Sequence, residues 1–166
     1  MDKNAIKKYG IWARTELIAR VAQKALQYGI TDATAHEELD KNVDSVNGKL
    51  LTSAEKKQRA DFIDQIKVKG FDQVIEEVAY TWFNRLIAIR FMEVNDYLPS
   101  HIRVLSSESG KLEPDLVTTP FDAELPFTAE EEAQIFQLKQ DNKLDEVFRI
   151  LFLKQCNALN EILPAL

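Results

Sequence analysis

The chain has 166 residues, 45% of them hydrophobic and 29% charged, with a formal net charge of −6. These values fit one globular domain; they exclude a disordered tail and, with no apolar run of about 18 residues, a bilayer-spanning helix. The charge argues against a generic nucleic-acid binder, but it is uneven: residues 1–28 carry net +4 and the remainder −10.

Residues 3–28 repeat apolar side chains at helical spacing (Ile6, Tyr9, Ala13, Leu17, Val21, Leu26), which predicts a first helix closed by Gly29. Lys3, Lys7 and Arg14 fall within about 40° of one another on that helix. Residues 34–46 predict a weaker helix, opened by a Thr34/Glu37 capping box and ended by "VNG" at 46–48. A second capping box, Thr52/Glu55, opens "KKQRADFIDQIKVKG", and Gly70 stops it. Lys56, Lys57 and Arg59 form a basic run at its start.

Phe71 then opens a helix reaching about residue 95. Phe71, Ile75, Val78, Trp82, Leu86 and Ile89 make one stripe; Ala79, Phe83, Ile87 and Val94 make a second beside it. Nearly half the circumference is apolar, so this helix is expected to be central, with neighbours on two sides and Trp82 deeply buried. Arg85, Arg90 and Glu93 fall inside the apolar arc. Arg90 and Glu93, three apart, suit a structural ion pair; the alternative is that these charges meet another domain or a nucleic-acid backbone.

Pro99, Pro114, Pro120 and Pro126 punctuate residues 98–127. This stretch is expected to form an arm along the helices, anchored by Leu112, Leu116, Phe121, Leu125 and Phe127. "HIRVL" suits either a short strand or one helical turn. Thr128 and Glu131 then predict a third capping box. Beyond it Leu144, Phe148, Leu151, Phe152, Leu159 and Ile162 share one helical face. The expected fold is therefore all-α: an irregular multi-helix bundle, helical over 1–97, with a proline-rich extended arm at 98–127 and C-terminal helices at 128–163. The chain stops at "PAL", close behind an apolar helix, as a piece of a longer protein would.

No two glycines lie close together, so there is no Gly-rich phosphate or nucleotide loop. His36 and His101 are isolated and suit solvated positions; no Cys/His pair has metal-ligand spacing. Cys156, the lone cysteine, forbids an internal disulfide and reads as an inert core thiol in a cytoplasmic protein. Catalytic, cofactor-binding and metal-binding residues are therefore all assigned as none. The candidates for phosphate contact are Lys3, Lys7, Arg14, Lys56, Lys57 and Arg59, weighed against an ordinary solvated face. The candidates for interdomain contact are Arg85, Arg90 and Glu93.

The segment "YTWFNRLIAIRFMEVNDYLPSHIRVLSSESGKLEPDL" and the opening "MDKNAIKKYGIWARTELI" resemble the N-terminal region of the PglX family, the adenine-specific DNA methyltransferases of BREX phage-defence systems. A looser likeness extends to helical regions ahead of the catalytic domain in type IIG restriction–modification enzymes. The resemblance implies a fragment of a methyltransferase that uses S-adenosylmethionine. The family's cofactor loop and Asn-Pro-Pro-Tyr-type motif lie further on and are missing here, so no catalytic residue carries over. The implied partners are the downstream methyltransferase domain, DNA (held weakly by this region alone) and other defence proteins, with no membrane. A stand-alone helical interaction module unrelated to DNA is the alternative.

Overall fold

A computed structural model describes residues 2–35 and 40–162. The expected Thr34/Glu37 capping box, His36 and residue 163 lie, in whole or part, outside these residues. The described chain is all-α apart from one small hairpin: α1 (Lys3–Gln27), α2 (Asp32–Ala35), β1 (Ser45–Val46), β2 (Lys49–Leu50), α3 (Ser53–Lys69), α4 (Phe71–Val94), α5 (Asp115–Thr118), a 3₁₀ turn (Pro120–Ala123), α6 (Ala129–Gln140) and α7 (Leu144–Ile162). It divides into two compact units, Met1–Phe83 and Asn84–Leu166. No helix among the described residues is long and apolar enough to cross a membrane.

In the first unit, the core joins α1, α3 and the start of α4. Ala25, Ile30, Ile63, Ile66, Val74 and Ile75 are buried, with Ile18, Val21, Phe62 and Val78 packed around them. The helix ends follow local chemistry. Asp2 caps α1 by accepting from the Asn4 and Ala5 amides. At the other end the Ile30 amide bonds back to the Ala25 carbonyl at 3.1 Å while Gly29 turns at φ 70°, the left-handed exit that favours glycine. A β-carbon on Gly29 would also meet Val46 Cγ1 at 3.0 Å. Gly29→Ala should therefore destabilise the chain by about 1–2 kcal/mol, from positive-φ strain plus crowding, read as a lower urea midpoint. Thr52 and Glu55 form the expected capping box, and Gly70 ends α3.

Among the described residues, 40–46 do not form the expected helix. Ser45–Val46 pairs with Lys49–Leu50 in antiparallel register. Asn47 and Gly48 sit at φ 51° and 79°, so "VNG" is the two-residue turn of a hairpin, which Asn-Gly favours strongly. Trp82 is half-buried, not enclosed; its bulk rarely permits full burial.

A single carboxylate joins several of these elements. Glu55 accepts from Lys49 Nζ at 2.7 Å, the Thr52 amide at 2.9 Å and the Tyr28 hydroxyl at 3.0 Å. These bonds, Lys49's first, lower its pKa from 4.5 to about 2. The folded form thus holds the carboxylate more strongly than the unfolded chain does. Its stabilisation is complete above about pH 4.5 and is lost as pH falls towards about 2. Thermal melts in that window should show a shallower acid decline for Glu55→Gln than for the parent.

In the second unit α7 packs against α5 and α6. Val147, Leu151, Phe152, Gln155, Cys156 and Leu159 form its buried face. Leu151, Phe152 and Leu159 were legible from the heptad-like spacing, whereas Ile162 is 62% exposed. Thr128 and Glu131 complete the capping box of α6. Burial raises the Cys156 pKa, with Arg85 pulling against it, which suits an unreactive thiol. The proline-rich stretch is more folded than an extended arm: it contains α5 and the 3₁₀ turn, and it buries Leu98, Val104, Leu116, Val117, Pro120 and Ala123. Of the expected anchors, Leu116 and Leu125 are buried, Phe121 and Phe127 are half-buried, and Leu112 is fully exposed.

Candidate docking surfaces

The basic candidates of the first unit separate into free and committed side chains. Lys3, Lys7 and Lys57 are exposed. Arg14 pairs with Glu76 at 2.7 Å, and Lys56 with Asp44. Arg59 is 6% exposed. Its Nε donates to the Tyr28 carbonyl at 2.9 Å and its Nη1 to the Asp40 carbonyl at 2.6 Å. Burial lowers its pKa while the Asp40 charge acts the other way. Arg59 thus ties α3 to the exit of α1 and to the segment before β1, and it lies outside the exposed basic surface. The first turns of α1 are exposed on every side, with the Tyr9 and Trp12 rings tilted against each other at 5.8 Å between centroids.

In the second unit the charges of α4 organise the loop beyond it. The Glu93 side chain is fully buried. One carboxylate oxygen accepts from the Val104 and Leu105 amides, both at 2.8 Å. The other accepts from the Ser106 hydroxyl at 3.0 Å and from Arg90, which also donates to Ser106 at 2.8 Å. Glu93 is therefore committed within the chain rather than presented to another domain. It also explains why 101–106 is neither strand nor helix: a side chain supplies the acceptors that a β-ladder would have supplied. Arg90 keeps about half its side chain in solvent (49%). Arg85 is half-buried, near enough to Cys156 to affect it electrostatically.

Asp115 closes the next loop. Burial raises its pKa, but the Glu108 amide and the Ser107 hydroxyl, with Arg103 and Lys111 nearby, outweigh it and leave a net lowering. Leu112 projects from this closed loop, between Gly110 at φ 73° and Pro114.

The opposite side of α4 carries a feature that the sequence reading passed over. Ile87, Phe91 and Val94 are 41%, 59% and 57% exposed, and Tyr97 follows at 61%. The helix stops without glycine: Asp96 takes φ 56° and the Tyr97 amide reaches back to the Met92 carbonyl at 2.8 Å. Tyr97 lies edge-on to Phe91 at 5.9 Å, the apolar contact that commonly accompanies such an exit. Ile87 and Val94 belong to the second apolar stripe read from the sequence, which did not include Phe91.

This helical chain is similar along its whole length to adenine-specific methyltransferases, so the likeness drawn from residues 1–18 and 80–116 extends to the rest. It is 39% identical to the adenine-specific methyltransferase PglX of Lacticaseibacillus casei (strain Zhang), in an alignment that takes in all of this chain and 15% of that protein. It is 29% identical to the adenine-specific methyltransferase BrxX of Escherichia coli O9:H4 (strain HS), again over the whole chain and 14% of the relative. The chain thus spans about a seventh of the length of these curated relatives. No family model matches it.

Proposed function

We propose that this chain is the N-terminal helical scaffold of a longer BREX-type, PglX-like methyltransferase acting in phage defence in the cytoplasm. The observation carrying this reading is full-length similarity to two adenine-specific methyltransferases of which the chain spans about a seventh. The parent would transfer a methyl group from S-adenosylmethionine to the exocyclic amine of adenine, on a base flipped from the duplex. The described residues of this chain do not fit that cofactor. Gly29 and Gly70 end helices, while Gly48 and Gly110 turn loops; none forms the strand-to-helix glycine turn that cradles a nucleotide. The chain's own part is structural: Glu93, Asp115 and Arg59 fix loops on helices, leaving defined surfaces for the rest of the protein. The exposure of Lys3, Lys7 and Lys57 supports assigning DNA-phosphate contact to them, and two or three such contacts give only weak, salt-sensitive binding.

The test is genetic and chemical. Genomic adenine methylation is measured in cells carrying the intact reading frame with its neighbouring genes, and in cells lacking only codons 1–166. Methylation in the first and its loss in the second is the expected result. A reading frame with no downstream methyltransferase motifs, or no adenine methylation in the intact strain, would overturn the proposal in favour of a stand-alone interaction module.

A further inference from the structure

We infer that Ile87, Phe91, Val94 and Tyr97 form the seat for an amphipathic helix from the remaining part of the parent methyltransferase. The inference rests on the scaffold reading above. Three observations support it.

The first is geometric. Ile87, Phe91 and Val94 are spaced four and three apart on α4, the spacing that lines one side of a helix–helix seam. Tyr97 extends the row beyond the helix end, held by the Met92 carbonyl and the Phe91 ring. The Met92 bond fixes its backbone, so no backbone entropy is lost there on docking.

The second is asymmetry. Ile89 and Glu93 on the same helix are buried, at 1% and 5% exposure. A helix with apolar residues over so much of its circumference is expected to have neighbours on two sides. In this unit one side is covered and the row of four is not.

The third is area. Four apolar side chains, each about half exposed, present on the order of 400 Å² of surface, the size of the largest and often functional patch on an ordinary monomer. A stable dimer needs about 800 Å² from each partner, so a second copy is poorly matched. A tethered segment is well matched, because its effective concentration lies in about the millimolar range without any further contact. The relatives are long enough to provide one, since about six-sevenths of their length lies outside the matched region.

The experiment places a thiol at the edge of the row. Tyr97→Cys is made in the complete reading frame and in the 166-residue chain, and alkylation is followed at the peptide carrying residue 97 by mass spectrometry. In the complete protein the reaction should be at least about tenfold slower than in the short chain, as when an open form falls below about a tenth of the population. Adding Phe91→Asp to the complete protein should restore fast labelling. Equal rates in the two proteins, or slow labelling that Phe91→Asp leaves unchanged, would overturn the inference. Protection that fades on dilution would also overturn it, by assigning the row to a second copy. Genomic adenine methylation in the Tyr97→Cys strain separates the two readings: methylation with an unprotected thiol defeats the docking seat alone, whereas its absence from the unmodified strain defeats the parent assignment.

Discussion

Replacing Glu93 by alanine should cost about 2–4 kcal/mol of stability, the loss expected when one buried amide, one half-buried amide and a charged partner lose their acceptor. The carboxylate is enclosed and takes four donors from the Val104 and Leu105 amides, Ser106 and Arg90. Val104 is itself fully buried, so water cannot simply replace the missing oxygen. Most of the cost falls on these amides rather than on Arg90, whose side chain is about half in solvent and can be rehydrated. Glu93→Gln keeps one carbonyl oxygen but turns an amide donor towards other donors, so it should lose less than alanine and more than a surface change. Urea unfolding gives the total. Amide hydrogen exchange at residues 104 and 105 gives the local part, and faster exchange there before global unfolding is the expected signature. A loss below about 1 kcal/mol with unchanged exchange would show that the loop is held by packing instead.

Those features of the fold that depend on neighbours in sequence were legible from it. Both the Thr52/Glu55 and Thr128/Glu131 boxes form as expected, because a cap is a contact across three residues. On α7 the burial of Leu151, Phe152 and Leu159 followed from the period, whereas that of Val147 and Gln155 did not. The Arg90–Glu93 pair was also within reach, being three apart on one helix. The misses share a different cause. "VNG" reads as a helix stop because its partner strand, Lys49–Leu50, is recognised only once the pairing is seen. Leu112 looked like an anchor by hydropathy, but Asp115 closes the loop beneath it and leaves it at the tip. For Glu93 the sequence offered the Arg90 pair or another domain, and its amide donors could not be read because they lie 11 and 12 residues away. As for the candidate docking surfaces, the sequence named the residues of the second apolar stripe, but only burial distinguishes Ala79, which is covered, from Ile87 and Val94, which are not.

Arg59 provides the sharpest contrast between a charge that faces solvent and one that holds a fold. In the run Lys56–Lys57–Arg59 all three look alike by type. The structure leaves Lys57 exposed, pairs Lys56 with Asp44, and encloses Arg59. Arg59→Gln should destabilise the first unit by about 2–4 kcal/mol, because two charge-assisted bonds are lost and two carbonyls lose their donor. Arg59→Lys should rescue little, since one ammonium cannot reproduce a planar fork that reaches Tyr28 with Nε and Asp40 with Nη1. Lys57→Gln should change stability by less than about 0.5 kcal/mol, as surface substitutions usually do. Duplex binding at low salt moves the opposite way. Removing Lys57 should flatten the slope of log K against log salt by about 0.9 if it neutralises one phosphate. At a temperature where it remains folded, Arg59→Gln should leave that slope unchanged. An Arg59 variant that melts like the parent but loses the slope would place its guanidinium on DNA and remove it from the interior.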